Sequence, residues 1–272
     1  IILICLNINF LGSYGPLFFF SGWLVTCSWF LGYVDIFSTL LLVIITKWII
    51  LDTRGILVWS ILFTLLAFNH FGIFIFSIFS FLVLIKKSMR RKFLYSTIIG
   101  GLLASILKNV YLNYIGFAGR GRFRILFDQN IIDESTGFVS DYLPSLIWSG
   151  FLGCILILLL IIFDNEYKFS QKFVVTTFIS LIGTGIVLDS SRIFSVLLVP
   201  TIIFLIFELK RYKFNKIYTE RLLILSVILS TFIFQERHVF GYVRNISPNL
   251  DNESVYNFLA RIINSLMKDI WI

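Results

Sequence analysis

Apolar runs follow one another along this chain from end to end, each closed by a short cluster of Lys, Arg, Asp or Asn. Their length constrains the fold more than any other feature. A helix needs about 20 consecutive apolar residues to cross the hydrocarbon of a bilayer, and these runs approach or reach that length. The composition agrees: 58% of the residues are hydrophobic and 14% charged, against about 25% charged in an ordinary soluble domain. Water is a poor solvent for so much apolar surface. Backbone polar groups find no partner in hydrocarbon, so the runs must satisfy their own hydrogen bonds as helices. No segment shows the alternation, over about ten residues, of a membrane barrel strand. The expected fold is all-α, a polytopic integral membrane helical bundle.

Spans are expected near Pro16–Tyr33, Asp35–Leu51, Gly55–Phe68, Phe71–Ile85, Phe93–Tyr111, Leu143–Phe163, Phe173–Leu188, Phe194–Phe207 and Leu222–Phe234. With a partial span at Ile1–Leu11, this makes about nine or ten crossings. The opening segment starts at Ile1 and has neither a basic flank nor a small-residue cleavage site, so it reads as a truncated span with further sequence upstream. There is no repeat at a fixed period and no Pro- or Ser-rich linker. The expectation is a single transmembrane domain over 1–272.

Basic residues set the orientation, because short cytoplasmic loops carry an excess of Lys and Arg. Lys86, Lys87, Arg90, Arg91 and Lys92 form one such loop, and Lys210, Arg211, Lys213, Lys216 and Arg221 another. Both should face the cytoplasm, as should Lys168 with Lys172 and the segment from Lys47 to Arg54, provided that Asn69-His70 and the Asp189–Arg192 segment form outer turns. The outer side then holds a long loop at 112–144 and a tail at 235–272. In that tail Val255, Phe258, Leu259, Ile262, Ile263 and Leu266 fall at helical spacing, opposite Asn257, Arg261, Asn264 and Lys268. This amphipathic stretch suits either the membrane–water interface, with Trp271 as an anchor, or packing against the bundle.

The formal net charge of +8 lies in short clusters between apolar runs rather than along one face, which argues against nucleic acid as a partner. Cys5, Cys27 and Cys154 sit among apolar neighbours without a CxxC pair, so neither a disulfide framework nor a metal site is expected. No phosphate-cradling loop, nucleophile elbow or dinucleotide fingerprint is present, and no cofactor is expected. Asn245-Ile246-Ser247 and Asn252-Glu253-Ser254 match the glycosylation acceptor pattern, which carries no meaning in a bacterial chain.

Three polar features interrupt the apolar runs. The first is Asp189-Ser190-Ser191-Arg192 between two of them. Ionisable groups at membrane depth are costly and by default imply a functional site or a pair. The spacing lets Asp189 and Arg192 share a helical face as an ion pair; the alternative is that Arg192 grips an anionic substrate, two oxygens at once, through its planar fork. The second is Arg120, Arg122 and Arg124 in the long outer loop, with Gly119 and Gly121 allowing close backbone approach. They could converge on a diphosphate or an acidic sugar, or be a solvated loop neutralised by Asp128, Asp133, Glu134 and Asp141. The third is Asn69-His70, the main polar break between Gly55 and Ile85, where His70 is either a base near neutral pH or a hydrogen-bonded residue of a helix break. His238 is a weaker candidate, and Lys108 reads as snorkelling to an interface.

With its Phe/Ile/Leu-rich spans, short basic inner loops, long outer loop bearing Arg120, Arg122 and Arg124, and Asp189-Ser190-Ser191-Arg192 at an outer helix end, the chain resembles the bacterial O-antigen and capsular polysaccharide polymerases. The resemblance covers most of the chain, in style rather than by a strict motif. It implies an inner-membrane, multi-pass protein performing glycosyl transfer on the periplasmic face. The donor would be an undecaprenyl-diphosphate-linked oligosaccharide, and the partners membrane lipid and other polysaccharide-assembly proteins. In such a site Arg120, Arg122, Arg124 and Arg192 would hold the diphosphate or acidic sugars, Asn69 would join them in binding, and Asp189 or His70 would act as base. Alternatives are a lipid-phosphate-sugar glycosyltransferase, a class with an acid in its first outer loop for which Asp35 is the candidate; a transporter or flippase of lipid-linked sugars; and a noncatalytic scaffold.

Overall fold

The computed structural model describes residues 2–23, 35–52, 55–116, 143–156, 158, 170–185, 190–211, 236–239 and 242–245, with isolated positions within 133–141 and 221–228. Helix α1 (Ile2–Ile8) runs into a 3-10 segment at Asn9–Phe20, which turns at Gly12 with φ 64°. There follow α2 (Asp35–Leu51), α3 (Ile56–Asn69), α4 (Phe71–Leu84), α5 (Arg90–Tyr114), α6 (Leu143–Phe151), α7 (Ser170–Thr184), α8 (Ser190–Leu197) and α9 (Val199–Arg211). Two short strands, β1 (Glu236–Val239) and β2 (Tyr242–Asn245), pair antiparallel with Glu236 opposite Asn245. The fold is therefore helical, as expected, with one hairpin at the start of the tail, where β1 lies against α8 and α6.

Among the described residues the apolar runs become helices, and most of those helices are short. Among the described residues one stretch, the 28 residues of Lys87–Tyr114, is long and apolar enough to cross a membrane; Leu3–Phe19, Ile56–Asn69 and Phe71–Leu84 are shorter apolar segments. The breaks have local causes. His70 adopts φ −147° and ψ 96°, which divides the run from Gly55 to Ile85 into α3 and α4. Pro200 lacks an N–H and cannot complete the ladder of the preceding turn. The single span expected at Phe194–Phe207 is accordingly α8 and α9, joined at Leu198 by backbone bonds from Leu198 N to Phe194 O (3.0 Å) and from Ile202 N to Leu198 O (2.9 Å).

Small residues let the helices approach closely. A Cβ placed on Gly100 of α5 would stand 2.6 Å from Phe63 Cβ and 2.9 Å from Ser60 O, so α5 packs backbone-to-side-chain on α3. The Ser96 hydroxyl donates across the same contact to Ile56 O at 3.2 Å, and the Phe63 and Phe93 rings meet edge to face. Several buried hydroxyls are satisfied within their own helices: Thr46 donates to Leu42 O, Thr64 to Ser60 O and Thr184 to Ser180 O, at little cost to the ladder.

The outward faces are apolar as well. Along α5, Ile98, Leu102, Ile106 and Val110 recur at four-residue spacing and are all more than half exposed. Leu57 and Ile61 on α3, and Val174 and Phe178 on α7, are exposed to the same degree.

Candidate functional site

The polar centre forms around the first turn of α2. Asp35 opens that helix, where the unpaired backbone N–H groups and the helix dipole favour a negative charge. Its neighbours at i+3 and i+4 in α2 are Ser38 and Thr39, so no basic residue of the following turn of that helix reaches it. The partner comes from α8: Arg192 Nη1 lies 3.1 Å from Asp35 Oδ2, with the two side chains 12% and 3% exposed. The approach is close without hydrogen-bond alignment, and both Asp35 oxygens are buried with no hydrogen-bond donor among the described residues.

One turn along α2, on the same face as Asp35, is Ser38. Its buried hydroxyl oxygen accepts from Asn69 Nδ2 at 2.7 Å. Asn69 is the last residue of α3, and the next residue, His70, caps α4 by accepting the Ile73 N–H on Nδ1 at 3.2 Å. In a neutral imidazole an accepting Nδ1 leaves the proton on Nε2. The break at Asn69-His70 thus positions Asn69 against α2 and uses His70 as a helix cap.

Of the residues singled out from sequence, Arg192 and Asn69 are brought to one turn of helix, and His70 stands next to Asn69 in the chain. Arg120, Arg122, Arg124 and Asp189 lie outside the described residues, as does the amphipathic stretch from Val255 to Leu266. Arg192 meets Asp35, an acid on another helix, a contact that spacing within one helix cannot show; the Asp189 partner suggested by the spacing lies outside the described residues. Ser38 was not singled out at all. The available signal was an acid heading an apolar run with no cation on its own helix face, which requires a partner from elsewhere.

The basic segments gather at the other end of the bundle. Lys86, Lys172 and Arg211 line one cleft beside Ile49 and Ile50, near the C-terminal end of α2. Lys92 at the start of α5 approaches Asp52 at 3.8 Å and lies 5.4 Å from the centre of the Trp59 ring. The Asp35 centre and this basic end are separated by the length of α2, about 25 Å at the rise of an α-helix.

Among the described residues no group of three or more His, Cys, Asp or Glu is arranged to hold a metal ion. Comparison with family models, curated proteins and solved structures returns no match to this chain.

Proposed function

We propose that this chain is a multi-span membrane protein that transfers a saccharide from a polyprenyl-diphosphate carrier on the outer face, with Asp35 and Arg192 at the reacting centre. The membrane reading is supported by the apolar stripes on α3, α5 and α7, which exceed what a water-soluble surface carries without a partner. Helices shorter than a bilayer are compatible with it where they line a protein-enclosed cavity. The transfer reading rests on one observation, the buried ion pair between α2 and α8. Burying two charges is expensive, and an ion pair in that position is no better for stability than a well-packed apolar pair. Its presence therefore calls for a use.

The chemistry divides between the two groups. In the transfer, the bond between the anomeric carbon and the phosphate oxygen breaks, a bond from the acceptor hydroxyl oxygen to that carbon forms, and the carrier leaves as a diphosphate. The charge growing on the leaving oxygen is stabilised by a fixed guanidinium in a water-poor cleft, the role of Arg192, with Arg120, Arg122 and Arg124 contributing from the outer loop. The acceptor proton passes to the Asp35 carboxylate, whose buried oxygens have no hydrogen-bond donor among the described residues. Asn69 and Ser38 fix the adjacent turn of α2.

A second reading is a lipid-phosphate-sugar glycosyltransferase, a class that usually has an acid in its first outer loop, for which Asp35, at the start of α2, is the candidate. The two differ in the donor, a diphosphate or a monophosphate.

The test is surface-polysaccharide length in cells whose only copy carries Asp35→Leu with Arg192→Met, which removes the pair without leaving a buried charge, with membrane abundance measured in the same samples. Loss of long chains at normal abundance, with single units still displayed, is the expected result. Loss of even the single units points to a flippase or an earlier transfer step, and unchanged chains remove the pair from the reaction.

A further inference from the structure

Helix α5 buries Phe93, Ser96, Gly100 and Ala104 on the side that packs on α3. Its opposite side carries Tyr95, Ile98, Leu102, Ser105 and Asn109, all of them exposed. The steps between these five alternate between three and four residues, so they form one straight seam with a 3.5-residue repeat. That is the period at which a helix meets a second helix along its length. Two members of the seam are polar. The Ser105 hydroxyl donates back to Gly101 O at 2.9 Å, so Ser105 and Gly101 present the small surface that lets helices approach within a membrane. Asn109 stands about 25 Å along the helix from Lys92 at an α-helical rise, within a hydrocarbon core about 30 Å thick. Its amide carries two donors and an acceptor, and acyl chains can meet none of them.

We propose that two copies of this chain pair through this seam, α5 against α5, with the two Asn109 amides bonded to each other across a twofold axis. The partner follows from orientation and from the chemistry of the amide. The cluster Lys86, Lys87, Arg90, Arg91 and Lys92 directs every copy to insert in the same sense. The two α5 helices then run parallel, and in a twofold contact each seam residue meets its own counterpart. An amide both donates and accepts, so two of them satisfy each other. One asparagine in an otherwise apolar seam also fixes the register and the number of helices that meet. Acyl chains cover Ile98 and Leu102 until the second copy docks, but they leave Asn109 unserved, and that selects a protein partner over lipid. The pairing rests on the membrane reading above and is independent of the transfer chemistry.

The experiment uses the full chain in membranes, with Cys5, Cys27 and Cys154 replaced by alanine and one new cysteine introduced at a time. After oxidation with copper phenanthroline, Ile98→Cys, Leu102→Cys and Ser105→Cys should give a disulfide-linked species of twice the chain's mass. Leu103→Cys and Leu107→Cys, exposed on α5 but off the seam, should give severalfold less. The seam yields should hold when the membranes are diluted with added lipid. Energy transfer between labelled copies in phosphatidylcholine vesicles measures the dissociation constant. Asn109→Leu should weaken pairing about threefold to thirtyfold, the effect of one interhelical hydrogen bond from such a residue, and Asn109→Gln, which keeps an amide, should retain it. Equal cross-linking on and off the seam, or yields that fall in step with dilution, overturns the proposal. So does a cross-linked product that contains a different protein, or undiminished pairing of Asn109→Leu. Asp35→Leu with Arg192→Met should pair normally, which separates the seam from the transfer reading. A chain that stays monodisperse in buffer without detergent overturns the membrane reading on which the pairing depends.

Discussion

The guanidinium of Arg192 and the carboxylate of Asp35 meet at 3.1 Å between α8 and α2, both side chains almost wholly withdrawn from solvent. The contact ties α8 to the first turn of α2. Removing one partner leaves an uncompensated buried charge, which costs about 3 to 5 kcal/mol, whereas replacing both by apolar groups of similar volume is close to neutral.

Arg192→Ala alone should therefore lower the unfolding midpoint in detergent sharply, and Asp35→Leu with Arg192→Met should restore most of it. The double variant also separates structure from chemistry. Normal stability and membrane abundance with polysaccharide chains lost is the expected result; normal chains would make the pair purely architectural.

His70 offers a cleaner separation. Its Nδ1 accepts the Ile73 N–H at the start of α4, a task that asparagine also performs, whereas alanine forfeits about 1 kcal/mol of capping. His70→Asn should keep both stability and polysaccharide length, and His70→Ala should lose stability alone. If His70→Asn abolishes long chains at full abundance, the imidazole is a base after all.

Helix α5 tests the solvent. Leu102 is 62% exposed in the middle of an apolar stripe. Facing lipid, Leu102→Lys costs about 2.5 to 3.5 kcal/mol of insertion free energy, so membrane abundance should fall severalfold. Facing water, the same change would be nearly silent, within about 0.5 kcal/mol. Fractionation of cells expressing the variant distinguishes the two.

The contact between α3 and α5 depends on Gly100. Its missing Cβ would stand 2.6 Å from Phe63 Cβ, and overpacking of this kind costs about 1 to 3 kcal/mol. Gly100→Ala should destabilise by that amount, and Gly101→Ala, whose nearest neighbour is the Phe74 ring at 3.3 Å, by less. Paired thermal unfolding curves in one detergent provide the comparison.

What the sequence determined by itself was local. Long apolar runs dictate helices because the backbone has no other way to satisfy its hydrogen bonds away from water, and α2 runs over the same residues, Asp35–Leu51, that its apolar run marks. The helix break at Asn69-His70 and the grouping of Lys86, Lys172 and Arg211 at one end were legible for the same reason, since polar punctuation must alternate between the ends of consecutive helices. The division of the run at Leu198 into α8 and α9 was not legible because total hydrophobicity says nothing about the N–H that Pro200 lacks. The contact of Asp35 with Arg192 was not legible because sequence spacing reports neighbours on one helix, while Asp35 reaches Arg192 only after α2 and α8 have packed. Tertiary structure alone decided that pairing and the approach of Asn69 to Ser38. Each joins residues on separate helices, whose mutual placement is set by the packing of the whole bundle rather than by any one segment.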